Sequence, residues 1–154
     1  MFQTILYPID FSDTTGKNLE YLKQLRKTGA EKIVLLNVIH QRILDTLETA
    51  NKAAHFQDGR YNEDWEGTLE RLENDRREKM RPIAAELEAA GFEVTTRIER
   101  GHPVKEILRV EKEEAASAMV LGALGRNNIK GARIGSVAEK VLRRAISTVL
   151  LVKS

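Results

Sequence analysis

The fold follows from two short apolar stretches, Thr4-Ile-Leu-Tyr-Pro-Ile9 and Lys32-Ile-Val-Leu-Leu-Asn-Val-Ile39. Both are almost continuously apolar rather than alternating, which is typical of parallel strands covered on both faces. Between them, Leu19, Leu22 and Leu25 recur at helical spacing and predict one amphipathic helix. Strand, helix and strand in this order form a βαβ unit.

The rest of the chain continues the alternation of helices and strands. Ser12 or Asp13 is expected to cap the first helix and Gly29 to end it. Further elements are predicted at residues 68–90 (helix), 92–98 (strand near a sheet edge), 103–116 (helix), 118–121 (strand), 136–144 (helix) and 148–152 (strand). Five strands separated by helices predict an α/β fold of three layers, with an open parallel sheet between helices.

The strand order determines where a ligand-binding crevice lies. In the orders 2-1-3-4-5 and 3-2-1-4-5, the winding reverses beside strand one, and ligands bind beyond the carboxyl ends of the strands at that point. Asp10 and Gly122 each follow a predicted strand. We therefore expect these two residues to face each other across one crevice.

Residues 41–67 are the least readable part of the chain. Ile43, Leu44, Leu47 and Ala54 lie at helical spacing, and polar residues follow them. We interpret residues 1–154 as one domain, with 41–67 as a variable insertion between strand 2 and the second long helix. This insertion is either a packed connection or a lid or partner-contact segment. Pro82 is expected to kink or restart the helix that follows.

Composition narrows the function classes. The 154 residues include 42% hydrophobic and 31% charged residues, as in an ordinary globular domain. A formal net charge of +2 is too small for a nucleic-acid footprint. Cysteine is absent, which excludes disulfides and cysteine-based metal sites. No signal-peptide pattern or membrane-spanning run is visible, so we expect a cytoplasmic protein without a membrane partner.

A glycine-punctuated loop follows the fourth strand: Gly122-Ala-Leu-Gly125-Arg-Asn-Asn-Ile-Lys-Gly-Ala-Arg-Ile-Gly135-Ser136. Glycines let main-chain N–H groups approach a ligand, and a helix start adds unpaired donors and a favourable dipole, so an anion site is expected. Ser136 and Glu139 have the spacing of a capping box. The loop matches neither the P-loop nor the G-x-G-x-x-G pattern. Glycines for turns and a serine that only caps the helix remain the alternative.

The spacing Gly-x2-Gly-x9-Gly-Ser resembles the ATP-binding branch of the universal stress protein family. The resemblance extends through Ile5-Leu-Tyr-Pro-Ile-Asp-Phe-Ser12, Val34-Leu-Leu-Asn-Val-Ile39, Gly101-His-Pro103 and Gly135-Ser-Val-Ala-Glu-Lys-Val-Leu-Arg143. It implies a Rossmann-like sheet of order 3-2-1-4-5, similar to the adenine nucleotide alpha hydrolases. It also implies a stress-response role and bound ATP (with ADP or AMP as alternatives), with Mg²⁺ through the phosphates. Homodimers would pair through Thr148–Val152.

The same resemblance implies the site residues. The nucleoside end would be lined by Pro8, Ile9 and Asp10, with Asp10 accepting a ribose hydrogen bond and the main chain of Val38 meeting the adenine. The phosphates would be held by Gly122, Gly125, Arg126, Gly135, Ser136 and Val137. The alternative for Asp10 is a turn or helix-cap carboxylate.

Catalytic residues are not identifiable in the sequence. His40, His55 and His102 share no metal-ligand spacing, and phosphoryl transfer would need an oriented nucleophile with cations on the developing charge. The favoured hypothesis is an ATP-binding regulatory module with slow or no hydrolysis. A weak ATPase and a nucleotide-free dimeric interaction protein are the alternatives.

Overall fold

The computed structural model describes residues 2–12, 15–58, 65–123 and 134–153. In chain order its elements are β1 (Thr4–Pro8), α1 (Thr15–Leu25), a 3₁₀ turn (Arg26–Thr28), β2 (Lys32–His40), α2 (Gln41–Asp58), α3 (Trp65–Ala89), β3 (Glu93–Gly101), α4 (Pro103–Glu113), β4 (Ala118–Gly122), α5 (Ser136–Arg144) and β5 (Thr148–Val152). The strands that were predicted from apolar stretches are all present.

The five strands form one parallel sheet in the order β3-β2-β1-β4-β5. This confirms the α/β class and decides between the two orders that the sequence allowed. β1 pairs with β2 on one side, where Thr4 is in register with Lys32, and with β4 on the other, where Ile5 is in register with Ala118. The winding reverses between β1 and β4, so the crevice lies at the carboxyl ends of these two strands.

Each face of the sheet carries its own core, because successive strand residues point to opposite sides. On one face, Ile5 and Tyr7 pack with Leu22 of α1 and with Met80 and Leu87 of α3. On the other, the strands pack against α4 and α5; the members are Leu6, Val34, Leu36, Met119, Leu121, Ile107, Val110 and Val141. The sheet is therefore the middle of three layers, and its central strands are covered on both sides.

The segment that was hardest to interpret begins with a helix. α2 packs on the end of β2 through a third, smaller cluster, whose buried members are Ile39, Leu44 and Leu69. Trp65 contacts the same cluster at the start of α3. Leu44 is the buried member of the predicted apolar stripe, whereas Ile43 and Ala54 are exposed.

Pro82 and Gly29 were expected to interrupt or end helices, and the structure tests both expectations. α3 runs through Pro82 as one helix, so the predicted restart is wrong; packing of Met80 and Leu87 on either side of the proline holds the helix together. Gly29 ends the first helical stretch with φ 96°, a left-handed conformation that favours glycine, as predicted. α1 begins at Thr15, and residues 13–14, which include the candidate cap Asp13, lie outside the described residues.

Candidate functional site

The nucleoside end of the predicted site lies where β1 stops. Pro8 is the last residue of β1, and the N–H of Ile9 extends the pairing by donating to the carbonyl of Leu36 at 2.8 Å. The next residue, Asp10, is exposed, and its Oδ1 accepts a hydrogen bond from the N–H of Ser12 at 3.0 Å. The side chain thus makes the turn contact that was the alternative to ribose binding, and it also remains accessible at the crevice.

The phosphate end is organised by hydrogen bonds at the base of the glycine loop. The N–H of Ala123 donates to the carbonyl of Val152 at 2.8 Å, which ties the end of β4 to β5. The N–H of Gly135 donates to the carbonyl of Ala123 at 2.5 Å. The two ends of the loop are therefore joined, and the start of α5 is held at the carboxyl end of β4.

The capping prediction for α5 is wrong. Gly135, with φ −72° and ψ 159°, occupies the cap position, and no side chain caps the helix. Ser136 is consequently the first helical residue, and Glu139 pairs with Arg143 instead of reaching back. Because the first hydrogen bond within the helix runs from Glu139 to Gly135, the N–H groups of residues 136–138 have no partner inside the helix.

The structure brings most predicted site residues to one edge of the sheet. Pro8, Ile9 and Asp10 lie at the end of β1, Gly122 ends β4, and Val38 lies in the carboxyl half of β2. Gly135, Ser136 and Val137 lie at the start of α5. Gly125 and Arg126 lie outside the described residues.

Sequence reasoning missed a buried polar group beside the nucleoside end. Asn37 is 1% exposed, and its Nδ2 donates to the carbonyl of Ile9 at 2.8 Å. Its Oδ1 accepts from Nη1 of Arg76 on α3 at 3.3 Å. The available signal was an asparagine inside an otherwise apolar strand, since buried amides need hydrogen-bond partners.

Two histidines lie at the same edge, at the ends of neighbouring strands. His40 ends β2, and its Nδ1 accepts from the N–H of Arg42 at 3.0 Å, a first-turn donor of α2. His102 precedes α4, and its ring lies 6.2 Å from that of His40 in an edge-on arrangement. Burial lowers the pKa of His40, and the charges of Arg42 and His102 lower it further.

The lowered pKa of His40 predicts a pH dependence of stability. The neutral ring is the favoured form in the folded state, so its contribution is complete above the unfolded pKa and is lost as the pH falls below about 6.5 through the folded value. We expect His40→Asn, which retains an acceptor for the Arg42 N–H, to flatten the fall in unfolding free energy between pH 7 and 5. Urea titrations across this range measure it. Parallel pH profiles for the two proteins would contradict the assignment.

The described residues contain neither a metal-ligand cluster nor a membrane-spanning helix. Within residues 2–12, 15–58, 65–123 and 134–153, no three His, Cys, Asp or Glu side chains are grouped so as to hold a metal ion. None of the helices in these ranges combines the length and apolar character needed to cross a bilayer.

Known proteins match this chain over nearly its whole length. The universal stress protein family model matches residues 1–153. Universal stress protein MJ0577 of Methanocaldococcus jannaschii is 32% identical over 163 aligned residues, covering 99% of this chain and 96% of the relative. Universal stress protein YxiE of Bacillus subtilis is 32% identical over 156 residues, covering 99% and 100%.

Solved structures show the same architecture. Protein MJ0577 superimposes with a TM-score of 0.82 at 31% identity, covering 100% of this chain and 97% of that one. More distant universal stress proteins, at 21% and 17% identity, were solved with cAMP and, in the Archaeoglobus fulgidus protein, with dAMP; their TM-scores are 0.61 and 0.62. Family match, strand order and loop spacing together show that the chain belongs to the universal stress protein family.

Proposed function

We propose that this chain binds ATP, with Mg²⁺ through the phosphates, and acts as a cytoplasmic regulatory module of the stress response with slow or no hydrolysis. The hydrogen bond between Gly135 and Ala123 carries the proposal, because it holds the open N-terminus of α5 at the strand end beside β1. The N–H donors at the start of α5 and the carboxylate of Asp10 at the end of β1 would contact the two halves of a nucleotide.

The chemistry of the residues fits the ligand. The N–H groups of Ser136 and Val137 lack partners inside α5, and the positive end of the helix dipole favours phosphate oxygens. Gly122 presents backbone without a side chain at the end of β4. Gly125 and Arg126 would complete the phosphate contacts. Main-chain groups near Val38 would meet the base, with Pro8 and Ile9 lining the nucleoside end.

The hydrogen bonds made by His40 and Asp10 at this edge favour regulation over catalysis. Phosphoryl transfer requires an oriented nucleophile and cations on the developing charge. The Nδ1 atom of His40 is engaged by Arg42, and the side chain of Asp10 is engaged by Ser12. Nucleotide occupancy would then be read by partners, with residues 41–67 supplying specificity within the single domain. A weak ATPase and a nucleotide-free interaction protein are the alternatives.

Replacing Asp10 with alanine is expected to weaken ATP binding about tenfold, which corresponds to one lost hydrogen bond of about 1.4 kcal/mol. Calorimetry with Mg²⁺ and ATP measures the change. Glu88→Ala, exposed at the far end of α3, is the matched control. Asp10→Asn keeps an acceptor for the Ser12 N–H and separates the turn role from the ribose role. An unchanged Kd in Asp10→Ala would restrict Asp10 to the turn.

Direct detection of nucleotide tests the proposal itself. Mass spectrometry of small molecules released from freshly purified, denatured protein should identify an adenine nucleotide. Absence of nucleotide, together with no ATP binding by calorimetry, would favour the interaction protein. A single-turnover burst of hydrolysis that Asp10→Ala abolishes would instead favour the ATPase.

We also propose that two copies of the chain pair through β5. The two edges of the sheet differ in character: on β3, Arg97 forms ion pairs with Glu99, Glu113 and Glu114, and charges of this kind protect an edge from pairing. On the other side of the sheet, Leu150 of β5 is an exposed apolar side chain, and so are Leu142 and Ile146, which precede the strand. Antiparallel pairing of β5 with its copy would give the N–H and C=O groups of this edge hydrogen-bond partners, in a two-fold symmetric dimer.

A further inference from the structure

A strained turn directly follows Asp10 at the nucleoside end. Phe11 has φ 60°, in the left-handed region that bulky residues rarely adopt. Such a conformation persists only where the surroundings hold it, and it is often found at ligand sites. The neighbours of this turn therefore help to determine where the Asp10 side chain lies.

The neighbours that hold Phe11 lie on α3. The Cζ atom of Arg76 and the Nζ atom of Lys79 each lie 5.9 Å from the centroid of the Phe11 ring. A cation at this distance is attracted to the ring face. The two cations are three residues apart and lie on the same side of the helix. α3 thus holds the residue immediately after Asp10.

The same arginine also reaches the residue immediately before Asp10. Nη1 of Arg76 donates to Oδ1 of Asn37, and Nδ2 of Asn37 donates to the carbonyl of Ile9. Since Asn37 is almost completely buried, the orientation of its amide is fixed by these two partners. We refer to these two hydrogen bonds as the Arg76–Asn37 relay.

We infer that Arg76 is a positioning residue for the nucleotide: through the relay and through Phe11 it holds the Ile9–Ser12 turn in the conformation that presents Asp10. This inference rests on the proposed function. A site whose competent conformation is only partly populated binds more weakly in proportion to that population. Loss of Arg76 should therefore weaken the binding of ligands that reach the nucleoside end. The binding of ligands that use only the phosphate end should be unchanged.

Arg76→Met, which keeps most of the apolar stem, tests the inference. We expect its Kd values for Mg²⁺-ATP and for adenosine to rise about tenfold, while the Kd for inorganic tripolyphosphate stays at the wild-type value. Arg77→Met is the matched control, because Arg77 is exposed on the same helix and bonds only to nearby Asn74 and Glu73 among the described residues. Arg76→Lys, which keeps a cation near Phe11, should restore part of the affinity.

Hydrogen exchange of residues 9–12 provides a readout that does not require a ligand. The Ser12 N–H, which is bonded to Asp10, should exchange faster in Arg76→Met than in Arg77→Met. Equal exchange and equal affinities in the two variants would overturn the inference, and so would a loss of tripolyphosphate binding as large as that of ATP. If the wild-type protein binds no ATP, the proposed function fails, and hydrogen exchange alone decides whether Arg76 holds the turn.

Discussion

Replacing Glu111 with alanine is expected to lower the free energy of unfolding by about 3 kcal/mol. This side chain of α4 is 2% exposed, and its carboxyl group accepts three hydrogen bonds from the connection that leads into β5. The donors are the N–H of Ile146 at 3.2 Å, the N–H of Ser147 at 3.2 Å and the Oγ of Ser147 at 2.5 Å. Truncation would leave these donors without their acceptor and open a cavity beneath them.

Urea unfolding with matched variants isolates this effect. Lys112→Ala changes the exposed neighbour on the same helix and should leave the stability almost unchanged. Ser147→Ala removes only one of the three donors and should cost about 1 kcal/mol. Glu111→Gln replaces one oxygen by an amide donor, and its loss of stability should lie between the losses in Ser147→Ala and Glu111→Ala. A loss below about 1 kcal/mol in Glu111→Ala would show that water replaces the carboxyl group readily.

Replacing Leu150 with lysine is expected to weaken the proposed dimer about 100-fold, or about 2.7 kcal/mol. The side chain lies in the middle of β5 and is 37% exposed in the single chain. Pairing of two β5 strands would bury it, and a buried ammonium group without a partner is costly. Because a two-fold interface contains each residue twice, one substitution places two charges in it.

Sedimentation velocity over a range of protein concentrations measures this change. Thr96→Lys is the matched control, since Thr96 is exposed on the opposite edge strand, β3, and should not alter the assembly. Circular dichroism of both variants verifies that the fold is intact. A wild-type protein that sediments as a monomer at tens of micromolar would refute the dimer, and a dimer unaffected by Leu150→Lys would place the interface elsewhere.

Particular residues show what sequence patterns predict well. The apolar runs of β1 and β2 predicted central strands because such strands are buried on both faces, and Ile5, Leu6, Val34 and Leu35 are indeed fully buried. The alternating run of β3 predicted an edge strand, and it lies at the edge. These predictions succeed because the periodicity of burial can be seen within a few consecutive residues.

Other features escaped prediction because they depend on contacts between distant residues. Gly135 rather than Ser136 occupies the cap of α5 because its N–H is drawn to the carbonyl of Ala123 across the loop. Glu111 looks like any helix-surface acid in the sequence, yet Ile146 and Ser147 approach it only after α4 packs beside α5. Spacing rules cannot detect such partners.

The sequence by itself determined the α/β class, the parallel strands and the family resemblance, because burial periodicity and glycine spacing are local properties. Only the tertiary structure decided the strand order, which places β1 between β2 and β4 and brings Asp10 to the edge where α5 begins. It alone joined Arg76 to Asn37 and Phe11. The physical reason is that such neighbours meet only when the helices pack on the sheet, across separations along the chain that no local pattern spans.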